Sequence, residues 1–254
     1  MPVLEMQGVD KHFGGVHAID NFSVQIKHGQ IHGLIGPNGA GKTTIFNNIT
    51  GIYVPEMGKI LFNGQDITGT PPHRVAQLGI GRTFQNIRLF ANLPVLENVI
   101  IAANKDATYG FMDALLKTPK YKEREKALEE KAMGLLKVVG LADKTKELAG
   151  SLPYGHQRKL EIARAMALDP DLLLLDEPAA GMNTEESLDL VNFVREIRDT
   201  FDITILMIEH HMDVVSSLCD YCTVLNFGKT IAVGTPAEVK ADPEVIKAYL
   251  GGTV

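Results

Sequence analysis

The stretch that most constrains this chain is Gly36-Pro37-Asn38-Gly39-Ala40-Gly41-Lys42-Thr43, which reads G-x-x-x-x-G-K-[ST]. The pattern carries chemistry only between a strand and a helix. Here Ile31 to Ile35 is a short apolar run fit for a strand, and a helix-compatible stretch starts at Lys42. Glycines let successive backbone N–H groups curl around a β-phosphate, and the helix N-terminus adds partial positive charge. Lys42 would place a cation on the β- and γ-phosphates, the Thr43 hydroxyl would ligate Mg²⁺, and Thr44 continues the loop into the helix.

Phosphate binding alone is not hydrolysis, which also needs acid to hold the metal and orient water. Asp171-Leu172-Leu173-Leu174-Leu175 is a continuous apolar run, as in a parallel strand buried on both faces, and Asp176-Glu177 follows it. Asp176 would hold the metal as a Walker B aspartate does. Glu177, pointing the other way if the strand continues, would take a proton from water as general base. By itself an acidic pair after an apolar strand is also an ordinary solvated strand end. Beside the phosphate loop it reads as a hydrolytic centre.

Around these motifs, Val3 to Met6, Phe22 to Ile26 and Lys59 to Phe62 before the Asn63-Gly64 turn are β-rich and predict an antiparallel edge. From Leu93 to Leu152 the chain becomes helical and charged, as in Tyr121 to Val139, which predicts an inserted helical subdomain. Ile203 to Ile208 is a second buried strand, and Thr223 to Val233, with Gly228 inside, a closing hairpin. At 254 residues, 45% hydrophobic and 22% charged, the chain suits one large α/β domain with a small subdomain.

No run approaches the roughly 18 apolar residues that cross a bilayer, and the N-terminus lacks a basic region followed by an apolar core. A cytoplasmic protein is expected, reaching any membrane through a partner. A net charge of −6 argues against sequence-independent nucleic-acid binding. Cys219 and Cys222 form a C-x-x-C without the βαβ redox context or a second ligand pair, and read as packing residues at a helix-to-strand junction.

With these residues in hand, the sequence resembles the ATP-binding subunits of ABC transporters over essentially its whole length. The resemblance implies a single domain, residues 1–254: a P-loop NTPase (RecA-like) α/β core with an antiparallel β edge and a helical subdomain near 93–165. Gln85, in Arg82-Thr83-Phe84-Gln85, falls at the family's Q-loop, which ligates Mg²⁺ and faces the transmembrane partner. His210 falls at the switch histidine that contacts the γ-phosphate, and Phe13 at the aromatic that stacks on adenine. Read without the family, these are a surface amide, a strand-end histidine and a core aromatic.

Leu152-Pro153-Tyr154-Gly155-His156-Gln157 occupies the place of the LSGGQ signature and departs from it: Pro153 replaces the serine, Tyr154 a glycine and His156 the glutamine. Gly155 and the helix it opens still offer backbone donors to an anion, so Tyr154, Gly155 and His156 are expected at the phosphates of a second copy. Asn183 stands where the D-loop usually has aspartate. Pro-Tyr-Gly, the Asp176-Glu177-Pro178-Ala179-Ala180-Gly181 stretch, Phe13-Gly14-Gly15 and Ile208-Glu209-His210-His211-Met212-Asp213 resemble the branched-chain amino acid importer branch. Implied are ATP and Mg²⁺ as cofactors and a place at the cytoplasmic face of the membrane. The implied partners are two transmembrane permease subunits, a solute-binding protein and a second ATP-binding chain, identical or related, with no nucleic acid. Importers of urea or short-chain amides, ABC ATPases acting on nucleic acid or ribosomes, and a nucleotide-binding regulator without turnover are the alternatives.

Overall fold

Apolar and polar residues alternate along β1 (Pro2–Phe13), so Leu4 and Met6 are buried while Glu5 and Gln7 face outward. Its partner β2 (Val16–Lys27) buries Ile19, Phe22 and Ile26. Both strands outrun the segments Val3 to Met6 and Phe22 to Ile26. Pairing continues from Pro2↔Lys27 to Phe13↔Val16 through irregularities that the side-chain pattern hides. The computed structural model describes residues 1–104 and 111–250.

Next come β3 (Ile31–Ile35), buried throughout, the phosphate loop, and α1 (Lys42–Ile49). β4 (Met57–Phe62) and β5 (Gln65–Asp66) complete an antiparallel sheet ordered β2-β1-β4-β5. Opposite the β1 irregularity between Gln7 and Asp10, β4 places Gly58 at φ +86°, where a Cβ would strike the carbonyl oxygen of Gly8. After α2 (Pro72–Gln77), β6 (Ile80–Arg82) brings the chain to Gln85, where the first compact unit pauses.

Asn86–Pro170 form a second compact unit, wider at both ends than the expected 93–165. Its described elements are α3 (Val95–Ala103), α4 (Phe111–Leu116), α5 (Pro119–Val138) and α6 (Tyr154–Met166), with no strand among its described residues. Helix α5 starts on a Thr118 cap with Pro119 in its first turn, and turns Leu128, Ala132, Leu135 and Leu136 inward. Asn98, buried on α3, holds the preceding turn by accepting from the Phe90 N–H (2.9 Å) and donating to the Phe90 and Pro94 carbonyls (3.1 and 3.0 Å).

The first unit resumes at Asp171. β7 (Leu172–Asp176), α7 (Thr184–Phe201), β8 (Thr204–Ile208), α8 (Met212–Leu218), β9 (Tyr221–Asn226) and β10 (Lys229–Gly234) follow, then α9 (Pro236–Ala241) and α10 (Pro243–Leu250). The second sheet runs β10-β9-β3-β8-β7-β6, parallel throughout except for β10. β7 and β8 are buried at every residue, which explains their unbroken apolar runs. One apolar cluster joins both sheets and α1, with the fully buried rings of Phe22 and Phe46 among its members. Each such ring contributes about 1.5–3 kcal/mol by burial. Cys219 ends α8 and Cys222 lies in β9, both buried, at the junction where packing residues were expected.

Two glycines test this picture in opposite senses. Gly58→Ala meets a left-handed backbone and a carbonyl, and should cost roughly 1–3 kcal/mol or more. Gly134→Ala, on the exposed side of α5 with open space at its Cβ, should gain about 0.5–1 kcal/mol. Urea denaturation of the two variants checks both; a harmless Gly58→Ala would contradict the close β1–β4 approach.

Candidate active site

Strand β3 delivers Gly36 into the loop at φ +146°, where any Cβ would run into the carbonyl oxygen of Leu225 on β9. At the other end Gly41, φ +107°, is the residue before α1, and a Cβ there would lie 2.6 Å from the Ala18 oxygen on β2. Both neighbours are backbone and cannot step aside, so glycine is required at each position. Lys42 is buried, and its Nζ donates to the carbonyls of Gly36 (2.7 Å) and Pro37 (2.9 Å), fixing the ammonium above its own loop. Burial pushes the ammonium below the ordinary lysine range, opposed by the charges of Glu177 and Asp176.

A cavity of about 490 Å³ opens over this loop, lined by Asn38 through Thr44 and by Gln85, Glu177 and His210. Three residues far apart in sequence meet at one carboxylate there. Gln85 Nε2 donates to Glu177 Oε2 (2.8 Å), and His210 Nε2 lies 2.6 Å from Glu177 Oε1. Glu177 reaches them by a route the alternation of a strand does not supply. The strand stops at Asp176, and Glu177 sits at φ +47°, in the left-handed region, its N–H held by the Ile208 carbonyl (3.0 Å). A turn, not a continuing strand, therefore aims this side chain.

Asp176 is buried and accepts from Arg82 Nη2 (3.1 Å). The same guanidinium donates to Asn47 Oδ1 (2.8 Å) and Thr50 Oγ1 (3.1 Å) and lies over the rings of Phe46 and Phe84. Sequence reasoning assigned Arg82 no role. Its only signal was a cation in a short strand that pairs with buried β7 and so needs a counter-charge. Glu209 was missed as well. Almost wholly buried, it accepts from the backbone N–H groups of Ala179 (3.0 Å), His210 (2.8 Å) and His211 (3.1 Å), tying the Asp176-Glu177 turn to the histidine loop. Its signal was an acid directly after an apolar strand.

Phe13 lies outside the cavity lining. It packs edge-on against Tyr53 (5.0 Å) near the Lys11 ammonium, while Val16, His17 and Ala18 of β2 line the cavity. Asn183 caps α7: its side chain accepts from the Glu186 N–H (2.9 Å), and Glu186 Oε2 accepts from the Asn183 N–H (2.9 Å). Asparagine and aspartate cap equally well, so this departure from the family pattern costs the helix little.

Residues 19–180 match the family described as ABC transporter. This chain belongs to the ABC transporter family. It is an ATP hydrolase, and its α/β core is that of the nucleotide-binding cassettes. Residues 229–254 also match the family described as branched-chain amino acid ATP-binding cassette transporter. The cassette is 43% identical to the high-affinity branched-chain amino acid transport ATP-binding protein BraF of Pseudomonas aeruginosa, over 98% of each chain. It is 42% identical to LivG of Escherichia coli K12, again over 98% of each. Among solved structures, the ADP conformation of an ABC transporter's ATP-binding cassette superposes with a TM-score of 0.86 at 32% identity, covering 99% of both chains. A nucleotide-free cassette gives 0.85 at 31% identity, over 98% of this chain and 99% of that one.

In the cassette's second unit, Tyr154, Gly155 and His156 form the first turn of α6 behind Pro153. The helix thus begins one residue before Gly155. Its early N–H groups have no partner within the helix, and a Cβ on Gly155 would meet open space. Beneath this turn the fully buried Arg158 donates to Glu161 Oε2 (2.8 Å) and to the Tyr154 hydroxyl (3.1 Å), so Tyr154 serves as an anchor for the turn.

The buried pair at the loop gives a direct test. Arg82→Met keeps bulk but strands Asp176 without its counter-charge, and should destabilise by roughly 3–5 kcal/mol in chemical denaturation, well beyond a surface arginine. The double variant Arg82→Met/Asp176→Asn should recover part of that loss. Additive effects in the cycle would mean that the two groups act independently.

Proposed function

We propose that this ABC ATPase powers the uptake of branched-chain amino acids at the cytoplasmic face of a membrane. The observation that carries the reading is identity of 42–43% across nearly the full chain to transport ATP-binding proteins of that specificity, with a matching C-terminal segment. None of the helices among the described residues is long and apolar enough to cross a membrane, so passage of the solute falls to two permease subunits, supplied by a solute-binding protein. A second ATP-binding chain, identical or related, would set its Tyr154-Gly155-His156 turn against the nucleotide held by Lys42.

For hydrolysis, the loop N–H groups and Lys42 bind the β- and γ-phosphates. Glu177 is the general base. With Oε2 held by Gln85 and Oε1 by His210, its carboxylate cannot rotate, and each oxygen keeps a lone pair for the attacking water. Thr43, Asp176 and the Gln85 carbonyl would hold Mg²⁺, since all three offer the oxygen donors that suit this ion. Mg²⁺ held there supplies charge neutralisation on the phosphate oxygens. Phosphoryl transfer asks mainly for placed charge and placed water; Lys42 supplies the first, and Glu177, held at both oxygens, the second. Phe13, 42% exposed, offers a ring face for the adenine at the mouth of the β1–β2 hairpin.

Glu177→Gln should retain ATP binding and lose about 10²-fold or more in turnover. Phosphate release and calorimetric titration together check it; near-normal turnover would move the base elsewhere. For the solute, the chain co-purified with its permeases and placed in liposomes should take up radiolabelled L-leucine only with ATP, and unlabelled isoleucine and valine should compete. Competition by urea or acetamide instead would reassign the solute while leaving the motor reading intact.

A further inference from the structure

Away from the phosphate loop, a larger cavity of about 680 Å³ lies in the first unit, lined by β1, β2 and the beginnings of β3 and β9. It shares no lining residue with the nucleotide cavity. At its wall His32 is 2% exposed. Its Nε2 lies 2.8 Å from Thr223 Oγ1, while its Nδ1 has no hydrogen-bond partner. Burial pushes this imidazole down to about 4, so it is neutral near pH 7 and offers Nδ1 as a donor or an acceptor according to tautomer. An unsatisfied buried polar atom is unfavourable, and an occupant with a matching group would remove that cost.

The charged residues lining the cavity are incomplete in a matching way. Glu5 Oε1 accepts from the amides of Gln7 and Gln25 (both 2.9 Å), leaving Oε2 without a partner. Lys27 also lines the cavity, and among the described residues its ammonium makes no ion pair or hydrogen bond. Opposite charges that share one cavity without pairing leave room for something that bridges them. A simple anion would satisfy Lys27 and be repelled by Glu5, and a simple cation the reverse. A zwitterion satisfies both. Apolar surface from Val24, Val233 and the Tyr221 ring completes the lining and suits a hydrocarbon side chain.

We propose that this cavity binds a free α-amino acid with an apolar side chain, its ammonium on Glu5, its carboxylate on Lys27, and His32 Nδ1 as a further polar contact. The site sits on β3, the strand that carries His32 near one end and delivers Gly36 to the phosphate loop at the other. The inference stands on the cavity alone and does not depend on which solute is transported.

The test is calorimetric titration of the purified chain with L-leucine, 4-methylpentanoate, which lacks the ammonium, and leucinol, which lacks the carboxylate. Saturable binding is expected for L-leucine and much weaker binding for the other two. Glu5→Gln and Lys27→Gln should each weaken L-leucine about tenfold or more, and Lys27→Gln should also erase the preference for leucine over leucinol. The ¹⁵N signal of His32 should move on titration in the wild type. Both variants should keep wild-type ATPase activity, which separates this site from the motor. No saturable binding up to about 10 mM, equal affinity for the three compounds, or unchanged affinity in both variants would overturn the proposal.

Discussion

Backbone packed on backbone at the two ends of the phosphate loop is the constraint on which this cassette depends. Gly36 leaves β3 against the carbonyl of Leu225, and Gly41 enters α1 against the carbonyl of Ala18. The loop is thus clamped between β9 of one sheet and β2 of the other, and Lys42 closes it by donating back to Gly36 and Pro37. A phosphate cradle works when its N–H groups are aimed before the anion arrives, because reorganisation would spend binding energy. The shared apolar cluster that includes Phe22 and Phe46 holds the two sheets in the relation that the clamp requires.

On this frame the acidic residues divide into two kinds. Asp176 is neutralised by Arg82, and Glu209 by a set of backbone N–H groups, so neither is left as an uncompensated buried charge. Such arrangements seldom add stability over apolar packing; what they fix is position. Glu177 differs, being partly exposed at the cavity and held by an amide and an imidazole rather than by a fixed cation. A carboxylate held this way keeps its orientation toward the cavity.

Much of this was legible in residue order. Unbroken apolar runs marked β7 and β8 because both faces of those strands are covered, and the loop motif was readable because its glycines answer to local backbone geometry. The length of β1 was not, because beyond Met6 its residues are largely polar while its hydrogen bonding continues through irregular register. Nor was the aim of Glu177: alternation predicts a direction only while a strand lasts, and this one ends a residue earlier. Phe13 could be singled out by motif, whereas its contacts with Tyr53 and Lys11 could not, because Tyr53 lies far along the chain and only the fold brings it near.

By itself the sequence determined the class of fold, the phosphate loop and the acidic pair, all properties of short segments whose period, glycines and charges act locally. Only the tertiary structure decided that Gln85, His210 and Glu177 form one cluster, that Arg82 answers Asp176, and that Glu209 ties two loops together. It also brought Glu5, Lys27 and His32 to a single cavity. Most of these residues stand tens of positions apart and some more than a hundred, and no local rule couples their side chains. Their meeting is set by strand order and register, with β3 lying between β8 and β9 and β7 between β6 and β8, which is a consequence of how the whole chain buries its apolar surface.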